Sequence, residues 1–414
     1  MLPSPSEAAQ EANERVAYEV ADVVRAYGAQ FVRTHPSSAQ QRRVLRAIAS
    51  CRTAVLGGHV EACDGCGHHR IAYNSCRNRH CPKCQGKERA KWMAAEHAML
   101  LPVGYFHVVF TLPHALNPLI RANRTLVLGL LFRLAARTLR TFALDPHHLG
   151  AEPAITMVLH SWGQTLDEHY HIHCVISGGG LSADGRTWVS LPAGKKKRRK
   201  PFLFPVRALS RAFRTKFVAA LGRARRNGKL NYVGQSAALV EAAAWKMLTE
   251  ELGEKDWVVY SKPPFGGPEQ VLKYLSGYTH RVAISNRRIL FVGDGMVRLE
   301  YRDYGDYNKR KELTLAAAEF LRRFLQHVLP KGFMRIRHYG ITANCGRKEK
   351  LARSRELLGQ SSPAPRPERH PIEWETPTAE TESAQLASRR CPACGAPMRV
   401  IEIIPPTPLA YDTS

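Results

Sequence analysis

The chain has 414 residues, and 61 lysines and arginines against 35 aspartates and glutamates give it a net charge of +26 with neutral histidines. This excess suits a polyanionic partner, first of all nucleic acid, because each neutralised phosphate releases counterions. A basic enzyme without such a partner is the alternative. The sequence contains no run of about 18 apolar residues, which excludes a transmembrane span. Charged residues alternate with apolar ones near the N-terminus, which is unlike a signal peptide. We therefore expect a cytoplasmic, nucleoid-associated protein with no membrane partner.

Two helices are predicted before the first cysteine. Residues 8–33 have apolar positions at helical spacing. Ser38 followed by Gln41 has the pattern of a capping box and predicts a second helix that runs through Ala49.

Two CxxC pairs predict a structural zinc site. Cys63 and Cys66 form the first pair, and Cys81 and Cys84 form the second after fourteen intervening residues. Four thiolates at this spacing are typical of one tetrahedral zinc ion, and so polar a segment needs a metal to fold. Cys76 and His80 lie between the pairs and are alternative ligands or packing residues.

A third pair, Cys391 and Cys394, lies near the C-terminus without an obvious complement. Its partner would be Cys345 or a second subunit in a homo-oligomer, and a lone CxxC is a weak signal for zinc.

The middle of the chain alternates β-rich runs with basic helices. A buried strand is predicted at 105–112, and an antiparallel pair at 155–162 and 170–177, the second strand ending at Gly178, Gly179 and Gly180. Helices are predicted at 121–143, 207–226, 236–252 and 315–328. The predicted fold class is α+β, an antiparallel sheet flanked by helices. We divide the chain into N-terminal helices at 1–50, a zinc-binding DNA-recognition domain at 51–100, a catalytic domain at 101–345, and a linker with a C-terminal CxxC tail at 346–414.

Four histidines fall on the predicted strand pair. His169, His171 and His173 alternate along the second strand and therefore share one face of the sheet, and His160 lies on the neighbouring strand. A divalent cation would keep converging imidazoles neutral. We predict that His171, His173 and His160 form a three-ligand site with open positions for phosphate or water, and that His169 contacts DNA or solvent. An exposed polar strand face is the alternative.

Tyr274 and Tyr278 are the candidate nucleophiles. At i and i+4 on a predicted helix they share one face, and a tyrosine oxygen that attacks a phosphodiester conserves the bond energy as a phosphotyrosine. Taken alone, such a pair is usually packing. Tyr301, Tyr304 and Tyr307 form a rival group that has the pattern of a hairpin surface.

Basic residues on a predicted loop and a predicted helix are candidate DNA contacts. The helix contributes Arg211 and Arg214. The loop is an uninterrupted basic run whose alternative role is a solvated insertion; it consists of Lys195, Lys196, Lys197, Arg198, Arg199 and Lys200.

Together these motifs make the chain resemble the rolling-circle insertion-sequence transposases of the two-tyrosine, His-hydrophobe-His nuclease class, over roughly residues 37–345. The segments on which the resemblance rests are 51–60 (CRTAVLGGHV), 75–84 (SCRNRHCPKC), 105–114 (YFHVVFTLPH), 160–164 (HSWGQ), 171–173 (HIH) and 274–286 (YLSGYTHRVAISN).

The resemblance implies an N-terminal zinc-binding domain and a nuclease domain in which a Mg²⁺ or Mn²⁺ ion is held by the histidine pair. His171 and His173 match that pair, and Tyr274 and Tyr278 match the nucleophiles. The activity implied is nicking of one strand of the element's end to form a 5′-phosphotyrosine and a 3′-OH, followed by strand transfer into target DNA. His160 as third ligand rests on spacing and on similarity to conjugative relaxases.

Other functions fit parts of the pattern. A plasmid relaxase or replication initiator would use the same chemistry, but the zinc segment and the lack of a GxxxxGK[ST] helicase motif favour transposition. A non-catalytic zinc regulator would bind DNA without cleaving it. A metal-free tyrosine recombinase would produce a 3′-phosphotyrosine.

Overall fold

The computed structural model describes residues 18–191, 203–265, 270, 283–359 and 390–407. The described helices are α1 (Val20–Thr34), α2 (Ala39–Ala49), α3 (Gln85–His97), α4 (Asn117–Ala122), α5 (Arg124–Leu144), α6 (Val206–Arg226), α7 (Ala242–Glu254), α8 (Ala317–Gln326) and α9 (Arg347–Leu357). The strands are β1 (Gly58–Cys63), β2 (His69–Tyr73), β3 (Tyr105–Thr111), β4 (Glu152–Trp162), β5 (Glu168–Leu181), β6 (Trp188–Ser190), β7 (Val259–Phe265), β8 (Ile289–Gly293), β9 (Met296–Asp303), β10 (Lys309–Ala316), β11 (Ile336–Gly340) and β12 (Met398–Ile404).

A six-stranded antiparallel sheet forms the centre of the molecule. Its strands lie in the order β11-β4-β5-β3-β7, and β6 pairs with part of β5. The sequence is rich in β-branched and aromatic residues along β3, β4 and β5, which favours strands. The predicted α+β class, the strand at 105–112 and the antiparallel pair are confirmed.

Helices α5, α6 and α7 cover one face of this sheet and form the main apolar core with it. Alternation along β3 turns Phe110 toward this core, where its ring lies 4.9 Å from that of Phe213 on α6. The odd-numbered residues of β3 and β5 point to the other face. The two faces are therefore chemically distinct, one packed with helices and one carrying histidines.

The end of α3 is fixed to the histidine-bearing face by a buried carboxylate. Thr156 Oγ1 donates to Glu96 Oε1 at 2.7 Å, and His338 Nε2 lies 3.1 Å from Glu96 Oε2. Glu96 itself is buried, and a buried carboxylate needs such partners. Because α3 follows directly after Cys84, this contact joins the cysteine-rich segment to the sheet.

A second apolar core lies around the N-terminal helices. It combines α1, α2 and α8 with the hairpin strands β8, β9 and β10. The capping box is present: Gln41 N–H donates to Ser38 Oγ at 3.2 Å, and Ser38 N–H donates to Gln41 Oε1 at 2.8 Å. The predicted helix after Ser38 is therefore confirmed. No helix among the described residues combines the length and hydrophobicity that crossing a bilayer requires.

The prediction that the glycine triplet ends the second strand is wrong, since β5 continues through it to Leu181. The glycines are needed because neighbours approach too closely for a side chain. A Cβ at Gly180 would lie 2.7 Å from the carbonyl oxygen of Glu152, and one at Gly179 would lie 2.7 Å from the Trp188 ring nitrogen.

The C-terminal region contributes to two parts of the fold. Helix α9 packs through Leu351 on a small core that includes Leu101 and Ile341. Strand β12 is the edge of a three-stranded sheet in the order β12-β1-β2. The region from 346 onward, predicted as linker and tail, thus includes a helix that packs beside the central sheet and a strand that pairs with β1.

Candidate functional site

The three predicted histidine ligands converge at one end of the central sheet. His160 on β4 pairs directly with His171 on β5, and His173 lies two residues further along the same face. The ring centroids lie 5.3 Å (His160–His171), 4.6 Å (His160–His173) and 4.8 Å (His171–His173) apart. One nitrogen from each ring lies within 4.8 Å of the others, which is close enough for a shared ion. The register of two strands produces this convergence.

Hydrogen bonds show which nitrogens are available for an ion. His171 Nδ1 lies 3.0 Å from the carbonyl oxygen of His169, which can only accept, so this nitrogen carries the proton. His171 Nε2 then has a lone pair, and it lies 3.1 Å from His173 Nε2. The two Nε2 atoms therefore face the same point.

Burial keeps His171 and His173 neutral. Desolvation lowers the pKa of His171 to about 4, with a smaller contribution from His169. Desolvation also lowers the pKa of His173, and the neighbouring His160 and His171 lower it further. Neutral imidazole is the form that binds metal. His171 and His173 therefore present ligating nitrogens at neutral pH without prior deprotonation.

The sequence analysis missed a fourth imidazole behind the cluster. His107 on β3 is buried, and its Nε2 lies 2.9 Å from Nδ1 of His173, with the two rings stacked at 9°. Val109 pairs with His173 across the strands, and the period of two puts His107 on the same face. That periodicity could have identified His107 once β3 and β5 were recognised as neighbours.

His169, predicted to contact DNA or solvent, has a protein partner. Its Nδ1 lies 3.1 Å from Nε2 of His114, at the start of a short turn after β3. Desolvation, followed by the His114 charge, lowers the pKa of His169.

The predicted grouping of Cys63, Cys66, Cys81 and Cys84 around one ion is wrong. The structure divides these thiols between two clusters. The proximal cluster, as we name it, is Cys51, Cys76, Cys81 and Cys84, and the distal cluster is Cys63, Cys66, Cys391 and Cys394.

The hairpin formed by β1 and β2 explains the division. Cys51 and Cys76 flank its base, whereas Cys63 and Cys66 lie at its tip. A strand rises about 3.3 Å per residue, so the six residues of β1 carry the tip far from the base. Spacing along the sequence does not reveal this separation.

The proximal cluster is part of the apolar core around the N-terminal helices: Cys51, Cys81 and Cys84 are buried in it, and Cys76 packs against it. Cys51 Sγ lies 3.5 Å from Cys84 Sγ, and Cys76 Sγ lies 3.6 Å from the same atom. Hydrogen bonds from the thiols of Cys76 and Cys81 lower the pKa of Cys51. Arg79, inside the same segment, donates to the carbonyl oxygens of Phe333 at 2.6 Å and Pro330 at 2.9 Å. The cluster is thereby attached to the loop before β11.

The predicted DNA-contacting arginines of α6 lie away from the histidines. Helix α6 covers the opposite face of the sheet, and Arg211 on it is exposed. Arg214 donates to the carbonyl oxygen of Lys255 at 2.8 Å. The basic run 195–200 and the candidate nucleophiles Tyr274 and Tyr278 lie outside the described residues.

The rival tyrosine group has the predicted surface position. Tyr304 and Tyr307 are exposed in the turn between β9 and β10, and Tyr301 is half-buried on β9. Gln164 Nε2 donates to Tyr304 Oη at 2.9 Å.

Comparisons with known proteins identify the family of the chain. Residues 154–350 match a family model described as a putative transposase, and residues 23–112 match one described as a transposase zinc-binding domain. The putative transposase y4qJ of Sinorhizobium fredii is 50% identical over 401 residues, covering 96% of this chain and 98% of the relative. The transposase for insertion sequence element IS801 of Pseudomonas savastanoi pv. phaseolicola is 30% identical over 356 residues, covering 85% of this chain and 81% of the relative.

A solved structure of the conjugative relaxase TrwC in complex with oriT DNA is similar at 13% identity, covering 43% of this chain and 72% of that one, with a TM-score of 0.22. A superposition this weak carries no functional argument.

The fold, the histidine cluster and the two matching domains define a DNA transposase with a zinc-binding domain. The chain belongs to the rolling-circle insertion-sequence transposases of the two-tyrosine, His-hydrophobe-His class, and the family expected from the sequence is confirmed. DNA is its macromolecular partner.

Proposed function

We propose that the chain cleaves single-stranded DNA at the ends of an insertion element and transfers the strand to target DNA, using His160, His171 and His173 to hold a divalent cation. The convergence of three imidazoles on one point, with burial lowering the pKa of His171 and His173, is the observation that carries this proposal. The cation is Mg²⁺ or Mn²⁺, as the resemblance to the family implies. When bound, it would polarise a phosphate and stabilise charge on the leaving oxygen.

His107 is a positioning residue in this proposal. The Nε2 atom of His173 faces the ligand point, so its Nδ1 carries a proton and donates to Nε2 of His107 at 2.9 Å. The partner on the second nitrogen fixes the tautomer and orientation of a ligating histidine. The carbonyl oxygen of His169 does the same for His171.

The covalent step is assigned to Tyr274 or Tyr278. The phenolic oxygen loses its proton and attacks the phosphorus, the bond from phosphorus to the 3′ oxygen breaks, and that oxygen takes a proton to become the free 3′-OH. The 5′ phosphate is left on the tyrosine. The 3′-OH end and the phosphotyrosine are then the two reactants for strand transfer. Support for these residues is their match to the tyrosine motif of the family.

Structural zinc is assigned to the proximal cluster, which lies wholly within the residues that match the zinc-binding domain. Four thiols cannot all ionise in a buried site without a cation, and Zn²⁺ is the ion that four cysteines prefer. Because Arg79 attaches the cluster to the loop before β11, this zinc site would hold the DNA-recognition domain against the sheet.

Basic residues supply the contacts to the DNA backbone. The run 195–200 is the strongest candidate by charge. Arg211 faces away from the histidines, so we assign it to DNA that passes over the helical face rather than to the scissile phosphate.

Mapping of the covalent product tests the function. The full chain is incubated with labelled single-stranded element-end DNA, with and without Mn²⁺, and adducts are resolved on denaturing gels and mapped by mass spectrometry. We expect adducts only with Mn²⁺, and none when Tyr274→Phe and Tyr278→Phe are combined. Tyr307 is an exposed tyrosine of the β9–β10 turn, so Tyr307→Phe is the matched control and should retain adducts. Adducts that persist in the double variant or in EDTA would contradict the proposal.

A further inference from the structure

We propose that the distal cluster binds a second zinc ion, with two ligands from residues 63–66 and two from residues 391–394, and that this ion fastens residues 390–407 to the zinc-binding domain. The matched zinc-binding domain ends at residue 112, so Cys391 and Cys394 lie far outside it. Cys63 and Cys394 are 331 residues apart in sequence.

The sulfur positions suit a tetrahedral ion. Cys63 Sγ lies 3.4 Å from Cys394 Sγ, and Cys66 Sγ lies 3.6 Å from Cys391 Sγ. All four sulfurs lie within 4.8 Å of one another. With zinc–sulfur bonds of about 2.3 Å, the edges of the tetrahedron are about 3.8 Å. A disulfide needs about 2.05 Å, so the thiols are spaced for a shared ion rather than for two covalent pairs.

The backbone builds the same knuckle twice. At the first pair, Gly67 N–H donates to the Cys63 carbonyl at 3.0 Å, and Cys63 N–H donates to the His68 carbonyl at 2.9 Å. The second pair repeats both bonds at the same offsets.

There, Gly395 N–H donates to the Cys391 carbonyl at 2.9 Å and Cys391 N–H donates to the Ala396 carbonyl at 2.7 Å. Gly67 and Gly395 both have a left-handed backbone, with φ of 68° and 75°. Only glycine adopts this conformation without strain. Two matching turns that aim four thiols at one point constitute a built site, which a chance approach of cysteines would not produce.

Little apolar burial is available to hold this part of the chain. The local core consists of Cys63, Cys391 and Met398 with Ala396 packed against them. Strand β12 is held by its ladder to β1 and by an exposed ion pair between Arg399 Nε and Asp64 Oδ1 at 2.7 Å. Exposed pairs contribute little. A small module of this kind needs a metal to remain folded, which explains why the thiols are placed where β1 and β12 pair.

Metal counting on the purified full chain tests the inference. We expect two zinc ions per chain for the parent protein and one for the Cys391→Ser, Cys394→Ser double variant. Cys345→Ser is the matched control, because Cys345 is exposed and outside both clusters, and it should retain two. One zinc ion in the parent, or two in the double variant, would overturn the proposal.

Cobalt substitution of the parent protein gives a readout that does not require the variant to fold. Two four-thiolate sites should bind two Co²⁺ ions per chain, each with strong thiolate charge-transfer and tetrahedral d–d bands. A single equivalent would overturn the proposal. Thiol titration of the metal-stripped, denatured parent should find all ten cysteines reduced. A loss of two or four thiols would show that the distal cluster forms disulfides instead, which also contradicts a second zinc site.

Discussion

Replacing His107 by phenylalanine tests whether the proposed cation depends on a residue behind its ligands. Phenylalanine keeps a ring of similar size in the buried site, and removes the acceptor that lies 2.9 Å from His173 Nδ1. In the ion-free variant, the His173 ring can move its proton from Nδ1 to Nε2. In the ion-bound variant, Nε2 holds the ion, so the proton stays on Nδ1 and has no acceptor in place of His107. The penalty therefore falls mainly on the metal-bound form.

The size of this penalty can be estimated in two ways. A buried donor left without an acceptor costs about 1–3 kcal/mol. Loss of a hydrogen-bond partner behind a metal ligand typically lowers metal affinity about 10- to 100-fold, which is about 1.4 to 2.8 kcal/mol. The two ranges agree. We expect Mn²⁺ to bind His107→Phe about 10- to 100-fold more weakly, with cleavage recovering as Mn²⁺ is raised.

The assay is titration of Mn²⁺ into the zinc-loaded full chain, followed by the electron paramagnetic resonance signal of free Mn²⁺. His107→Gln is the rescue variant, since its amide oxygen can accept in place of Nε2, and it should recover most of the affinity. His338→Phe is the matched structural control, because it removes an imidazole bonded to the buried Glu96 and should lower stability without changing Mn²⁺ affinity. Parent-like Mn²⁺ binding by His107→Phe would refute the positioning role.

Three further predictions concern stability and DNA binding. Burial lowers the pKa of His327 from 6.5 to about 4, so the folded state binds a proton at this ring less readily than the unfolded state does. The neutral ring therefore contributes its full stability above pH 6.5, and about 3 kcal/mol of the free energy of unfolding is lost as the pH falls to 4. Urea unfolding at pH 7 and pH 4 should show this loss in the parent and a smaller one in His327→Gln; equal losses would contradict it. Gly340→Ala should destabilise the fold by at least about 2 kcal/mol, because its Cβ would lie 1.9 Å from the Pro153 carbonyl oxygen at a φ of 65°. Gly129→Ala is the control, and it should be neutral or stabilising in the same thermal melts because the site has open space and a helical backbone. Comparable effects of the two substitutions would argue against the close approach at Gly340. Arg211→Ala should reduce the slope of log binding constant against log salt concentration for DNA by about 0.7 to 0.9, as measured by fluorescence anisotropy. The cleavage rate of a short single-stranded substrate should be unchanged, and slower cleavage would contradict the assignment of this residue to the helical face.

Much of the central sheet and its histidine cluster follows from local patterns in the sequence. Alternation along β5 places His171 and His173 on one face, and a short turn brings His160 beside them, so the convergence required only the correct register. His107 was missed because its proximity to His173 depends on β3 being the other neighbour of β5, and the sequence does not show the order of strands.

The cysteines show why spacing alone fails. Cys63 and Cys81 belong to CxxC pairs that are close in sequence, yet the β1–β2 hairpin separates them in the fold. The first pair instead clusters with Cys391 and Cys394. Likewise, helical periodicity predicts α6 correctly but does not indicate which face of the sheet the helix covers, and that face decides whether Arg211 can reach the scissile phosphate.

The central claim is that His160, His171 and His173 share a divalent cation, and anomalous diffraction from crystals soaked in Mn²⁺ tests it most directly. Data collected at the manganese edge should give a peak within about 2.3 Å of one nitrogen from each ring, with the peak lost in His171→Ala. An empty histidine cluster in crystals that bind manganese elsewhere, or a peak that survives in His171→Ala, would contradict the account.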